Sequence, residues 1–119
     1  MFGIWSTNEK INYPMELYLR GTDKIRFSCD EDLLKVIPDG SKGRALNFGQ
    51  GEGQVEIDGT QWGFYIDQTG LYHMAFECGN LDWRTLNNLV EGIISAINKS
   101  FDVNVHVEVK GPFTNRTDI

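Results

Sequence analysis

Between Gln54 and Cys78 apolar and polar residues alternate with the period of a strand, and two turn signals cut the alternation into three pieces. Asp58-Gly59, set between Ile57 and Thr60, is a strong two-residue hairpin signal because both positions tolerate positive φ. Asp67-Gln68-Thr69-Gly70 supplies the second turn. The spacing predicts a three-stranded meander over 54–57, 60–66 and 71–78. With loops of two and four residues, Val55 falls opposite Trp62, Phe64 opposite His73 and Gly63 opposite Met74. One face then carries Val55, Ile57, Trp62, Phe64, Ile66, Leu71, His73 and Ala75. The other carries Glu56, Gln61, Tyr65, Tyr72, Met74 and Phe76, and is apolar enough to need cover from N-terminal strands or from a partner.

After Asp82 the rhythm changes. Leu86, Leu89, Val90, Ile93, Ile94 and Ile97 recur at steps of three and four, the signature of an amphipathic helix over 83–100. Asp82 is placed as its N-cap, and Leu81 with Leu86 matches a hydrophobic staple. Gly92 and Ala96, small residues on this helix, are expected to fit it to the sheet. Val103, Val105, Val107 and Val109 then alternate with Asn104, His106, Glu108 and Lys110, predicting a half-buried strand over 103–109. Gly111-Pro112 closes it, and a loose tail is expected over 111–119.

Shorter pieces precede the meander: strands at 2–6, 15–20 and 24–29, with Gly21-Thr22-Asp23 as a turn between the last two. Residues 30–37 form an acidic start followed by apolar positions, a short helical turn ended by Pro38 and Asp39-Gly40. A glycine-rich loop occupies 41–54, with a short strand at 45–48. Together these elements predict one α+β domain over 1–119. Its frame is a twisted antiparallel sheet, built from the meander 54–78, the N-terminal strands and the strand 103–109, with the helix 83–100 packed on it.

Composition narrows the chemistry. Hydrophobic residues make up 40% of the 119, so a core forms without disulfide or metal staples. The two cysteines, Cys29 and Cys78, are too few for a disulfide framework and read as reduced, half-buried thiols in strand-like segments. The N-terminus has neither a basic start nor a sustained apolar stretch, and no run approaches the roughly 20 residues of a membrane span. A cytoplasmic protein is therefore expected.

No metal, nucleotide or cofactor motif stands out. His73 is expected on the apolar face of the meander and His106 on the polar face of the last strand. No H-x-x-x-H or C-x-x-C pairing joins them to other ligands. The glycines around Asn47–Gly53 precede a strand instead of opening a helix, and Glu52 repels phosphate, so they do not form a phosphate loop. A Cys-His pair stays open, because such partners meet in space and not in sequence. Seventeen Asp and Glu against eleven Lys and Arg give a net charge of −6, which opposes nucleic acid and favours a basic protein. The densest negative block is Asp30-Glu31-Asp32, with Asp23 and Asp39 beside it, and these five carboxylates are the expected partner-binding residues. Trp5, Trp62 and Trp83 are aromatic anchors only where exposed.

The opening Met1-Phe2-Gly3-Ile4-Trp5-Ser6, the strand Met15-Glu16-Leu17-Tyr18-Leu19 and the stretch Arg26-Phe27-Ser28 resemble the start of immunity proteins from bacterial contact-dependent growth inhibition systems. The resemblance covers the first third of the chain and carries no catalytic motif. It implies a small cytoplasmic inhibitor with no enzyme activity, which binds and neutralises the C-terminal toxin domain, often a basic nuclease, delivered by a neighbouring cell. A small hydrolytic enzyme using His73 or His106 with Cys78, and a nucleic-acid or small-ligand module on aromatic strand faces, are the alternative expectations.

Overall fold

The computed structural model describes residues 15–21, 25–49, 51–67, 70–79 and 81–110. The elements run β1 (Met15–Arg20), α1 (Asp30–Leu34), β2 (Gly43–Gly49), β3 (Glu52–Ile57), β4 (Thr60–Asp67), β5 (Gly70–Cys78), α2 (Trp83–Phe101) and β6 (His106–Lys110). The strands form a six-stranded sheet in the order β2-β3-β4-β5-β1-β6, and every neighbouring pair whose register is defined is antiparallel. This is the expected α+β arrangement. The strand expected at 2–6 and the tail 111–119 lie outside the described residues.

The Asp58-Gly59 hairpin forms as its sequence requires, with both residues left-handed at φ 49° and 81°. Ile57 faces Thr60 and Val55 faces Trp62. Asp58 also ties in the start of β2. Its amide donates to the Lys42 carbonyl at 2.8 Å, and its Oδ1 accepts from the Lys42 amide at 2.9 Å. At the far end of β4 the register departs from expectation. Ile66 pairs with Leu71, but Tyr65 pairs with His73, so Tyr72 is an extra residue on β5. Beyond that bulge Phe64 faces Met74 and Gly63 faces Ala75, and the two faces of β5 are exchanged. Met74 and Phe76 enter the core at zero exposure, while His73 goes to the opposite face.

One hydrophobic cluster lies between the sheet and α2. Leu17, Val55, Trp62, Phe64, Met74 and Phe76 from the strands meet Trp83, Leu86, Val90, Ile93 and Ile97 from the helix. Burying each of these larger side chains contributes about 1.5–3 kcal/mol. Trp62 stacks on Phe76 at 4.8 Å between centroids, and its indole N–H donates to Thr60 Oγ1 at 2.8 Å, so its one polar atom is satisfied inside the core. Asp82 caps α2 by accepting from the Thr85 amide at 2.8 Å, and Asp102 ends the helix in the left-handed region at φ 54°.

Several local expectations are corrected. Residues 25–28 form no strand, although Ile25 and Phe27 alternate into the core; both flanks of β1 are already taken by β5 and β6, so this segment has no ladder to join. The glycine-rich stretch is no loose loop, since β2 and β3 form a hairpin across Gly51 at φ 85°. Cys29 is exposed at the N-cap of α1, not half-buried in a strand. The last strand starts at His106, because Val103 and Val105 lie in the connection from α2, where Asn98 donates to and accepts from Val105. Gly92 fits α2 to the loop after α1 instead of to the sheet: a Cβ there would stand 3.1 Å from Pro38 Cβ.

Candidate functional site

The strand registers assemble a row of side chains on the sheet face turned away from α2. Tyr18 of β1 lies opposite His73 of β5, His73 opposite Tyr65 of β4, and Tyr65 opposite Glu52 of β3. The three rings stack in one column, with centroids 4.7 Å apart at 13° for Tyr18 and His73, and 5.0 Å apart at 24° for His73 and Tyr65. A parallel row holds Glu16, Ala75, Gly63 and Gln54. Its centre is occupied by the two smallest residues, and this leaves room above them. Glu77 leans into that room: its Oε2 accepts from the Tyr65 hydroxyl at 2.5 Å, and a Cβ on Gly63 would collide with the same oxygen. Beyond it Gln61 donates to Gln54 at 3.3 Å.

The electrostatics of this row follow from partial burial among carboxylates. Burial first, then the bond to Glu77, push the Tyr65 hydroxyl well above the ordinary phenol range, so it stays a donor. His73 Nε2 lies 3.7 Å from Glu16 Oε1, with the His73 side chain 13% exposed. Burial lowers its pKa and outweighs the opposing pull of Glu16 and Glu77. That lowering favours the neutral imidazole over the cation. Among the described residues no lysine or arginine pairs with Glu16. The face therefore carries Glu16, Glu52, Glu56 and Glu77 against Arg20 at the end of β1 and Arg44 on the edge strand, where Arg44 Nε is already bonded to Glu56 at 2.9 Å.

The carboxylates singled out in the sequence fare differently. Asp30, Glu31 and Asp32 do come together on the single turn of α1. Asp32 is engaged locally. Its Oδ2 accepts from the Ser28 amide at 2.7 Å and its Oδ1 pairs with Lys35 at 3.1 Å, which together hold its pKa below the usual carboxylate value. Asp39 lies in the following loop and pairs with Lys99 of α2 at 3.5 Å. That leaves Asp30 and Glu31 as the exposed carboxylates of this turn. Asp23 lies outside the described residues. Beside the turn a cleft of about 600 Å³ opens between the loop after α1 and the C-terminal half of α2, lined by Leu34, Ile37, Pro38, Gly92, Ala96 and Lys99.

His106 is exposed on β6, both ring faces of His73 are covered by tyrosines, and the Cys78 side chain is outside the described set. Among the described residues no three His, Cys, Asp or Glu side chains gather as a metal site. Trp62 and Trp83 are buried, and Trp5 lies outside the described residues. No described helix is long and apolar enough to cross a membrane. Compared with protein-family models, with curated proteins and with solved structures, the chain matches none. Glu16, Tyr18 and Glu77 were not singled out in the sequence, whereas Tyr65 stood on the meander face expected to need cover. The even-numbered positions of 16–20 did mark one face of β1, but its meeting with His73 depends on the bulge at Tyr72.

Proposed function

We propose that this chain is a cytoplasmic immunity protein, an inhibitor without turnover that binds and neutralises the C-terminal nuclease toxin domain of a contact-dependent growth inhibition effector. The observation that carries the reading is the sheet face away from α2, where glutamates surround a stacked Tyr-His-Tyr column. Aromatic rings held rigid by their neighbours offer contact area at little entropic cost, and the surrounding carboxylates select a basic partner and speed its encounter. A nuclease domain must present cations to its nucleic acid, so an acidic competitor for that surface is a direct way to silence it. Asp30 and Glu31 on α1 extend the negative field but are fixed by fewer contacts.

The test is co-expression of the tagged chain with the product of the gene immediately upstream, followed by pull-down and a growth assay. Stoichiometric capture with rescue of growth supports the reading. Absence of both, with both proteins expressed, overturns it. Charge reversal then separates the two acidic surfaces: E16K with E52K is expected to slow association and abolish rescue, whereas D30K with E31K is expected to lower only the rate of association at low salt.

A further inference from the structure

Glu16 and Tyr18 stand two residues apart on the same face of β1, and both keep part of their side chain exposed. Glu77 and the Tyr65 hydroxyl are spent on each other, and Glu56 is held by Arg44. Tyr18 is stacked on one side by His73 and remains 39% exposed. The Glu16 side chain is also 39% exposed, and its described neighbour is His73, in which burial favours the neutral imidazole. A carboxylate beside an immobilised aromatic ring matches the two preferences of a guanidinium group, which stacks flat on an aromatic face and donates two parallel N–H bonds to a carboxylate. Lysine, a compact and strongly hydrated point charge, uses the ring less well.

We infer that Glu16 and Tyr18 form the receiving site for one arginine side chain of the basic partner, the anchor around which the rest of the acidic face assembles. The inference rests on the basic-partner reading above and gives it a specific chemical form. His73 is a positioning residue here: it holds the Tyr18 ring at its angle and, in its favoured neutral form, leaves the Glu16 charge for the incoming arginine.

The experiment titrates the full-length chain with the blocked peptide acetyl-Gly-Arg-Gly-amide and follows the tyrosine and histidine ring resonances by NMR. The matched citrulline peptide serves as the uncharged isostere. Ring signals of Tyr18 and His73 are expected to move with the arginine peptide and stay in place with citrulline. E16Q and Y18L are each expected to weaken the response about two- to fivefold, the range of an exposed cation–ring contact, while Y18F preserves it. Shifts confined to rings other than Tyr18 and His73, an equal response to citrulline, or no response overturn the assignment. The two readings fail separately. Partner capture by the wild type that is unaffected by E16Q and Y18L refutes the anchor and leaves the inhibitor standing. Failure of capture alongside a selective arginine response refutes the inhibitor and not the site.

Discussion

Gly53 of β3 is the position where the close fit of α1 against the sheet is most directly measurable. A Cβ added there would run into Leu33 Cδ2 and stand 3.0 Å from Cδ1 and 3.2 Å from Cγ, so the whole end of a fully buried leucine must move. Overpacking of this kind costs about 1–3 kcal/mol. Against it stands the gain of about 0.5–1 kcal/mol from replacing a strand glycine by alanine, available because Gly53 is not among the glycines with positive φ. The expected net loss for G53A is about 0–2.5 kcal/mol, out of the roughly 5–15 kcal/mol typical of a domain. L33A alone costs about 2–5 kcal/mol by leaving a cavity. In that background the new methyl group enters vacant space and the steric term disappears, so G53A changes sign and stabilises by about 0.5–1 kcal/mol. The four proteins form a double-mutant cycle, read by urea unfolding at constant m-value. Equal destabilisation by G53A in both backgrounds, or stabilisation of the wild type by G53A, would refute the packing of Leu33 into Gly53.

Three further outcomes are expected. The folded-state pKa of His73 is depressed by burial, so its contribution to stability is complete above the unfolded value near 6.5 and is lost as pH falls through the folded value; H73F is expected to flatten the stability profile below about pH 6.5, checked by denaturant melts across that range. T60V removes a buried hydroxyl that donates to the Ile57 carbonyl and accepts from the Trp62 indole, leaving the buried indole N–H without its acceptor, and is expected to cost about 1–3 kcal/mol in the same assay. D82A removes the α2 cap and is expected to lower Tm by several degrees at neutral pH; the wild-type advantage is lost in acid as the depressed Asp82 carboxyl is protonated, so the two melting curves should converge there.

How much of this fold was readable depended on whether a local rule or a global competition decided each element. The helix over 83–100 and the Asp58-Gly59 hairpin were legible because their periodicity, cap and turn chemistry are written within a few residues of one another. The stretch 24–29 looked like a strand because Ile25 and Phe27 alternate with polar neighbours. Alternating burial does not guarantee a hydrogen-bonded partner, and the neighbours of β1 were decided by chain segments dozens of residues away. In 41–54 the glycines obscured a hairpin. Gly53 is small because Leu33 lies over it, and Gly51 supplies the positive φ of the turn, two separate needs that resemble a flexible loop when read as composition.

The bulge at Tyr72 bears directly on the candidate site. Because side chains alternate every residue along a strand, one inserted residue exchanges the faces of everything beyond it. Without it His73 would be a buried imidazole opposite Phe64, and Met74 and Phe76 would lie on the other side of the sheet. With it the two large apolar residues complete the core under α2, while His73 and Glu77 join Glu16, Tyr18 and Tyr65. The exchange is favoured on energetic grounds: burying Met74 and Phe76 gains about 1.5–3 kcal/mol each, whereas an imidazole in their place would bring a polar ring needing a partner. The same packing preference that completes the core thus creates the polar, aromatic face. Removing Tyr72 from the sequence is expected to pull the histidine back toward the core and to abolish arginine recognition and strand pairing together. E16Q, acting on a side chain outside the core, is expected to weaken the first alone.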